Sequence, residues 1–146
     1  MKCRITKKNC KVFLNLGKMP IANGFLKKKN FKNEYFFPLK VAFSESLKLV
    51  QLVSNPDPKK MFNKNYPFYT SSSKHMINHF RQYSKWIKKN YLNRGGNLLE
   101  LGSNDGTFLK NFSDNFNVGY EPSKSVHNFA KREGLYSMNK FFNYSS

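Results

Sequence analysis

LLELGSNDGTFL, residues 98–109, holds an apolar run, a glycine loop and a second apolar run in succession. The loop carries Gly102 and Gly106. Working outward, NLLELG reads as a short buried strand, SNDG as a tight loop and TFLKNFSDNF as a helix. NVGYEP follows as a second strand, and SKSVHNFAKREG as a second helix stopped by Gly134. Phe141 and Phe142 begin a third strand or end one. Strands alternating with helices at this spacing predict a parallel sheet with right-handed crossovers, the opening βαβα portion of a nucleotide-type α/β domain.

The same stretch holds the most informative chemistry. Glycines at a strand-to-helix turn let backbone approach a ligand closely and aim free N–H groups into the crevice beyond the strand ends. Such a loop suits an adenosyl ligand. Glu121 follows Gly102 by 19 residues, at the end of the next strand, where a carboxylate accepts hydrogen bonds from both ribose hydroxyls. Glu100, Asp105 and Glu121 are three of only eight acids in the chain. The pattern is neither GxGxxG nor a loop ending in GK[ST], which disfavours dinucleotide and ATP phosphate binding. The plainer alternative is turn chemistry with a surface acid.

Upstream, KVFLNL, FFPLKVAF and LKLVQLV read as short strands, the last two separated by a hairpin-sized gap near Ser44 and Ser46. Pro20, Asn23 and Gly24 favour irregular backbone between the first two. SNPDPKK breaks the pattern. A helix is then predicted from about Ser72 to Leu92, because Met76, Phe80, Tyr83, Ile87 and Tyr91 share one face at helical spacing. Ser71 to Ser73 offer its N-cap, and Gly95 and Gly96 end it.

With 146 residues, 39% of them hydrophobic, the chain has material for a core. Fifteen Phe and eight Tyr argue against a disordered basic tail. No apolar run is long enough to span a membrane. Cys3 and Cys10 are too few for a disulfide framework, so a cytoplasmic location is expected. Residues 1–96 hold 21 Lys and Arg against three acids, whereas residues 97–146 hold five of each, so the +18 belongs wholly to the first two-thirds. Such asymmetry points to anionic partners. Yet 22 of the 26 cations are Lys, accompanied by 19 Asn and 15 Phe, a combination that compositional drift on a solvated surface also produces. Lys interleaved with aromatics, as in FLKKKNFKNEYFF, keeps a nucleic-acid-binding module open as the alternative, although no RNA-binding signature is present.

LLELGSNDGTFL followed by VGYEPS resembles the first cofactor motif and second-strand acid of class I S-adenosylmethionine-dependent methyltransferases, in the wording of the sugar-nucleotide C-methyltransferases. Upstream, LGKMPIANGFL, FPLKV, LVQL, DPKKMFNKNYPFYTSSS and His79 resemble that family's N-terminal region in the same order. The resemblance implies a degenerate zinc-binding-type module over residues 1–70, a connecting helix over 71–96 and the start of a Rossmann-like methyltransferase domain over 97–146. It implies an enzyme that methylates a carbon of a nucleotide-diphosphate-linked ketosugar, with S-adenosylmethionine as cofactor. Glu100, Gly102, Asn104, Asp105, Gly106 and Glu121 would hold the cofactor. Tyr66 and Tyr69 would be catalytic, positioning the sugar or shuttling protons as an enolate forms, since a phenol both donates and accepts. N-terminal lysines would help attract the diphosphate.

Two departures matter. The family's N-terminal module carries two CxxC pairs that bind zinc. Here Cys3 matches the first position, while Thr6, Ser44 and Leu47 stand at the others and Cys10 is out of register, so no zinc is expected. An i, i+4 pair, His75 and His79, is a weaker metal candidate. The family's sheet also needs about seven strands. The chain is therefore expected to be an N-terminal fragment, weak in cofactor binding and inactive alone, with the remainder supplied by a separate chain if not by its own continuation.

Overall fold

The structure is a computed structural model that describes residues 1–92 and 95–145. Asn93 and Arg94 of the expected connecting segment, and Ser146 at the end of the expected last domain, lie outside the described residues. The fold is mixed α/β, with one small antiparallel sheet and one parallel sheet. It divides into two compact units, Met1–Met61 and Phe62–Ser146.

The first unit is built on strands β1 (Lys11–Pro20), β2 (Phe36–Ser44) and β3 (Leu49–Leu52), antiparallel in that order. Its aromatic and β-branched segments pair Ala42 with Gln51 and Val41 with Leu52 across the predicted hairpin. Leu47 N donates to Ser44 O at 3.3 Å to close the turn. β1 is irregular, with register shifts between Val12 and Leu14 and between Asn15 and Lys18. It is exposed along its whole length. The core is small: Cys3, Cys10 and Ala42, with Met1 and Val53 against them. The segment read as a breaker forms one helical turn, α1 (Pro58–Met61). Asp57 caps it by accepting from Lys59 N at 2.9 Å, and Pro58 suits a first helical position.

In the second unit α2 (Lys74–Tyr91) matches the predicted helix and is capped by Ser73, whose hydroxyl accepts from Met76 N at 3.3 Å. Tyr83 stacks on Phe108 with centroids 5.7 Å apart, and Phe80 packs tilted against the same ring at 5.3 Å. Tyr91 departs from the predicted buried face: it is 69% exposed and lies edge-on to Trp86. Strands β4 (Asn97–Leu101), β5 (Phe116–Tyr120) and β6 (Ser137–Met138) are parallel in that order. α3 (Lys124–Arg132) connects β5 to β6. His127 fastens it there, its Nδ1 2.9 Å from Ser137 Oγ.

Two expected elements differ. The helix predicted over residues 107–116 is only a 3-10 turn, Leu109–Phe112. Asparagine side chains compete for the carbonyls here: Asn111 Nδ2 donates to Thr107 O and Phe108 O, and Asn117 Nδ2 to Phe112 O; Phe108 O and Phe112 O accept these bonds beside those of backbone N–H groups three residues on. The third strand is β6, ahead of Phe141 and Phe142, which lie in irregular chain.

Candidate functional site

The parallel sheet places the loop of residues 102–106 and the end of β5 side by side. Gly102 N and Ser103 N both donate to Tyr120 O, at 2.8 and 3.1 Å. Gly119 must be glycine, because a Cβ there would meet Ser103 Cβ at 2.6 Å and Leu109 Cδ1 at 2.8 Å. The loop needs left-handed backbone at Gly102, φ +75°, where a Cβ would enter open space. Asn104 also adopts positive φ, 51°. An asparagine tolerates this at small cost.

Glu121 is 5% exposed and held at both oxygens. Oε2 accepts from Asn104 N at 3.0 Å, and Oε1 from Ser123 N at 2.6 Å. Its carboxylate is thus fixed beside the loop, with lone pairs left for a ligand hydroxyl. Asn104 ties the loop to the segment before α2: Nδ2 donates to Phe68 O, and Oδ1 accepts from Thr70 N, both at 3.0 Å. Asp105 makes the second tie, accepting from Ser71 N at 2.8 Å and from Thr107 Oγ1 at 2.6 Å. Burial pushes its carboxyl up, but the hydrogen bonds of Ser71 and Thr107 outweigh burial and leave it below the ordinary value.

Beside Glu121 opens a cavity of about 360 Å³. Gly102, Asn104 and Glu121 form its polar rim, and Phe62, Tyr66, Tyr120, Phe141 and Phe142 its aromatic walls. Tyr66 lies 5.8 Å from Phe62 and 5.6 Å from Phe68 between ring centroids. Burial, with Glu121 adding to it, raises the Tyr66 phenol above its usual value. Phe142 meets Tyr120 edge-on at 5.2 Å, and Lys140 Nζ stands 5.9 Å over the Tyr120 ring. Flat walls, a ribose-sized acceptor and a glycine without side chain together suit a nucleoside.

Glu100, Asp105 and Gly106 lie outside this lining. Glu100 Oε2 is buried and unpartnered. Burial, then the neighbouring charges of Asp105 and Glu121, raises its carboxyl from 4.5 to about 8. Gly106 faces Leu135 and Ala130. Tyr69 stands apart from Tyr66, packing edge-on against Phe129 at 5.6 Å and bordering a shallower cleft with Lys131 and Arg132. His79 stacks on Tyr83, and among the described residues no three His, Cys, Asp or Glu side chains converge as metal ligands. Sequence reasoning missed Phe62, Tyr120, Lys140 and Phe142 as cavity residues. The one available signal was position: Tyr120 immediately precedes the ribose-type acid, and Phe62 stands four residues before Tyr66.

No curated protein matches the chain. Residues 3–62, the first unit almost entire, match a family described as "Putative zinc binding domain" and associated with methyltransferases, so the chain carries a methyltransferase-associated module.

Proposed function

We propose that the chain works as part of an S-adenosylmethionine-dependent C-methyltransferase acting on a nucleotide-linked ketosugar. The observation that carries this reading is the fixed carboxylate of Glu121 beside the loop of residues 102–106, on the rim of an aromatic cavity. The donor set fits the cofactor: Glu121 would accept from the ribose hydroxyls, the aromatic walls would enclose the adenine, and Gly102 leaves room for backbone approach. When bound, the cofactor supplies a methyl group carried on a sulfonium. Tyr66, kept protonated by its raised pKa, would donate a hydrogen bond to an oxygen gaining charge at the keto carbon. Tyr69, away from this cavity, would serve the sugar rather than the cofactor.

Among the described residues β4 pairs only with β5, and Leu99 and Leu101 on it are 47% and 55% exposed. Further strands would pair with the β4 edge, and the helices that connect parallel strands would cover these side chains. A thermal-shift comparison tests the reading: S-adenosylhomocysteine should raise the midpoint of the second unit, and ATP at equal concentration should not. Equal shifts from both, or none from either, would count against it.

A further inference from the structure

A structural zinc site closes with four nitrogen, sulfur or oxygen donors, chiefly thiolates and imidazoles. The first unit offers Cys3 and Cys10, no histidine, and three acids, Glu34, Glu45 and Asp57. Glu45 faces solvent, paired with Lys48 at 3.1 Å, and Asp57 is spent capping α1. At the three further positions that the family resemblance assigns to ligands, Thr6 Oγ1 accepts from Lys8 N at 3.4 Å, Ser44 Oγ is 3.3 Å from Ser46 Oγ, and Leu47 is an exposed aliphatic. Among the described residues no third His, Cys, Asp or Glu converges on the two thiols, so Glu34 does not complete a set either, and the residues present do not fit the metal that the matched family's description implies.

Another arrangement ties the N-terminal loop to the sheet. Cys3 N donates to Lys8 O at 2.7 Å and Cys10 N to Met1 O at 2.8 Å, bringing both thiols into one cluster with Ala42. Gln51, opposite Ala42 on β3, donates from Nε2 to Cys10 Sγ at 3.3 Å. Its Oε1 accepts from Arg4 N at 3.2 Å. Arg4 Nη2 donates in turn to Leu52 O at 3.1 Å and Asn55 Oδ1 at 2.8 Å. We infer that the first unit is a metal-independent version of the domain it matches, in which Gln51, bonded to the buried Cys10 and to the Arg4 backbone, fastens loop to sheet in place of a structural zinc. The polar groups of Thr6 lead those that hold the Cys3 thiol down at about 6 without any cation.

The test uses the full chain, expressed in zinc-supplemented medium and purified without chelator. Plasma mass spectrometry is expected to find zinc below about half an equivalent, and dialysis against EDTA to leave the dispersed amide signals of residues 1–61 unchanged. Gln51→Leu should lower the first unit's melting midpoint by about 4–8 °C, the loss of roughly one buried hydrogen bond in a unit this small, with the Trp86 transition of the second unit in place. Half an equivalent of zinc or more, signal loss on chelation, or an unmoved Gln51→Leu midpoint overturns the inference. Should Gln51→Leu fail to fold, the wild type's metal content and response to EDTA decide it.

Discussion

Glu100→Gln separates the stability of the second unit from its binding chemistry. The wild-type carboxyl, raised from 4.5 to about 8, makes the folded state hold its proton more tightly than the unfolded chain does. Its stabilising contribution is therefore complete below about pH 4.5 and is lost as pH rises through about 8. At about 1.4 kcal/mol per tenfold change in proton affinity the full effect is roughly 5 kcal/mol. Water reaching a partly exposed side chain screens this to roughly 2 kcal/mol. Gln has the same shape and no charge, so the variant should match the wild type within about 0.5 kcal/mol at pH 4.5 and exceed it by roughly 2 kcal/mol at pH 9, a midpoint gain on the order of 10 °C. The assay is thermal unfolding followed by Trp86 fluorescence, since the chain's single tryptophan sits on α2 of this unit. A difference between variant and wild type that stays flat from pH 4.5 to 9 would refute the reasoning.

Other outcomes follow from the same contacts. Gly119→Ala forces a methyl against Ser103 and Leu109 and should cost about 1–3 kcal/mol in the Trp86 transition. The depressed Cys3 thiol predicts the opposite pH trend in the first unit: its stability should be full above pH 9 and fall as pH drops through about 6, read from amide signals of residues 1–61, and Cys3→Ser should abolish the trend. Amide hydrogen exchange should be faster across β1, exposed at every position, than across β5. Labelled single-stranded RNA should show no shift at near-physiological salt; a salt-resistant shift would promote the nucleic-acid alternative.

Local rules that agreed with their surroundings were legible in the sequence. α2 announced itself through a serine cap and a periodic face, and the β2–β3 hairpin through apolar runs around a short gap. The loop of residues 102–106 and Glu121 were readable because glycine positions and an acid at the next strand end follow from backbone geometry. Elements decided by competing side chains were not legible. The asparagines near residues 107–117 compete for the carbonyls a helix would need, which composition does not reveal. Tyr91 satisfied the helical period yet found only Trp86 to pack on. Cys10, out of step with any ligand position, is buried beside Cys3 because chain reversal over residues 2–9 brings them together. The aromatic walls of the cavity come from residues 62–66, 120 and 141–142, far apart in sequence and unremarkable in a chain this rich in Phe and Tyr.

Titration of the folded chain with S-adenosylhomocysteine, followed by amide NMR and calorimetry, tests the central claim most directly. The account predicts saturable binding with a Kd on the order of 0.1–1 mM, about −5 kcal/mol, with shifts concentrated at Gly102, Asn104, Glu121 and Phe142. Glu121→Gln should weaken it about tenfold while the Trp86 melting transition persists. No saturable binding at several times that concentration, or binding indifferent to Glu121→Gln, would contradict it.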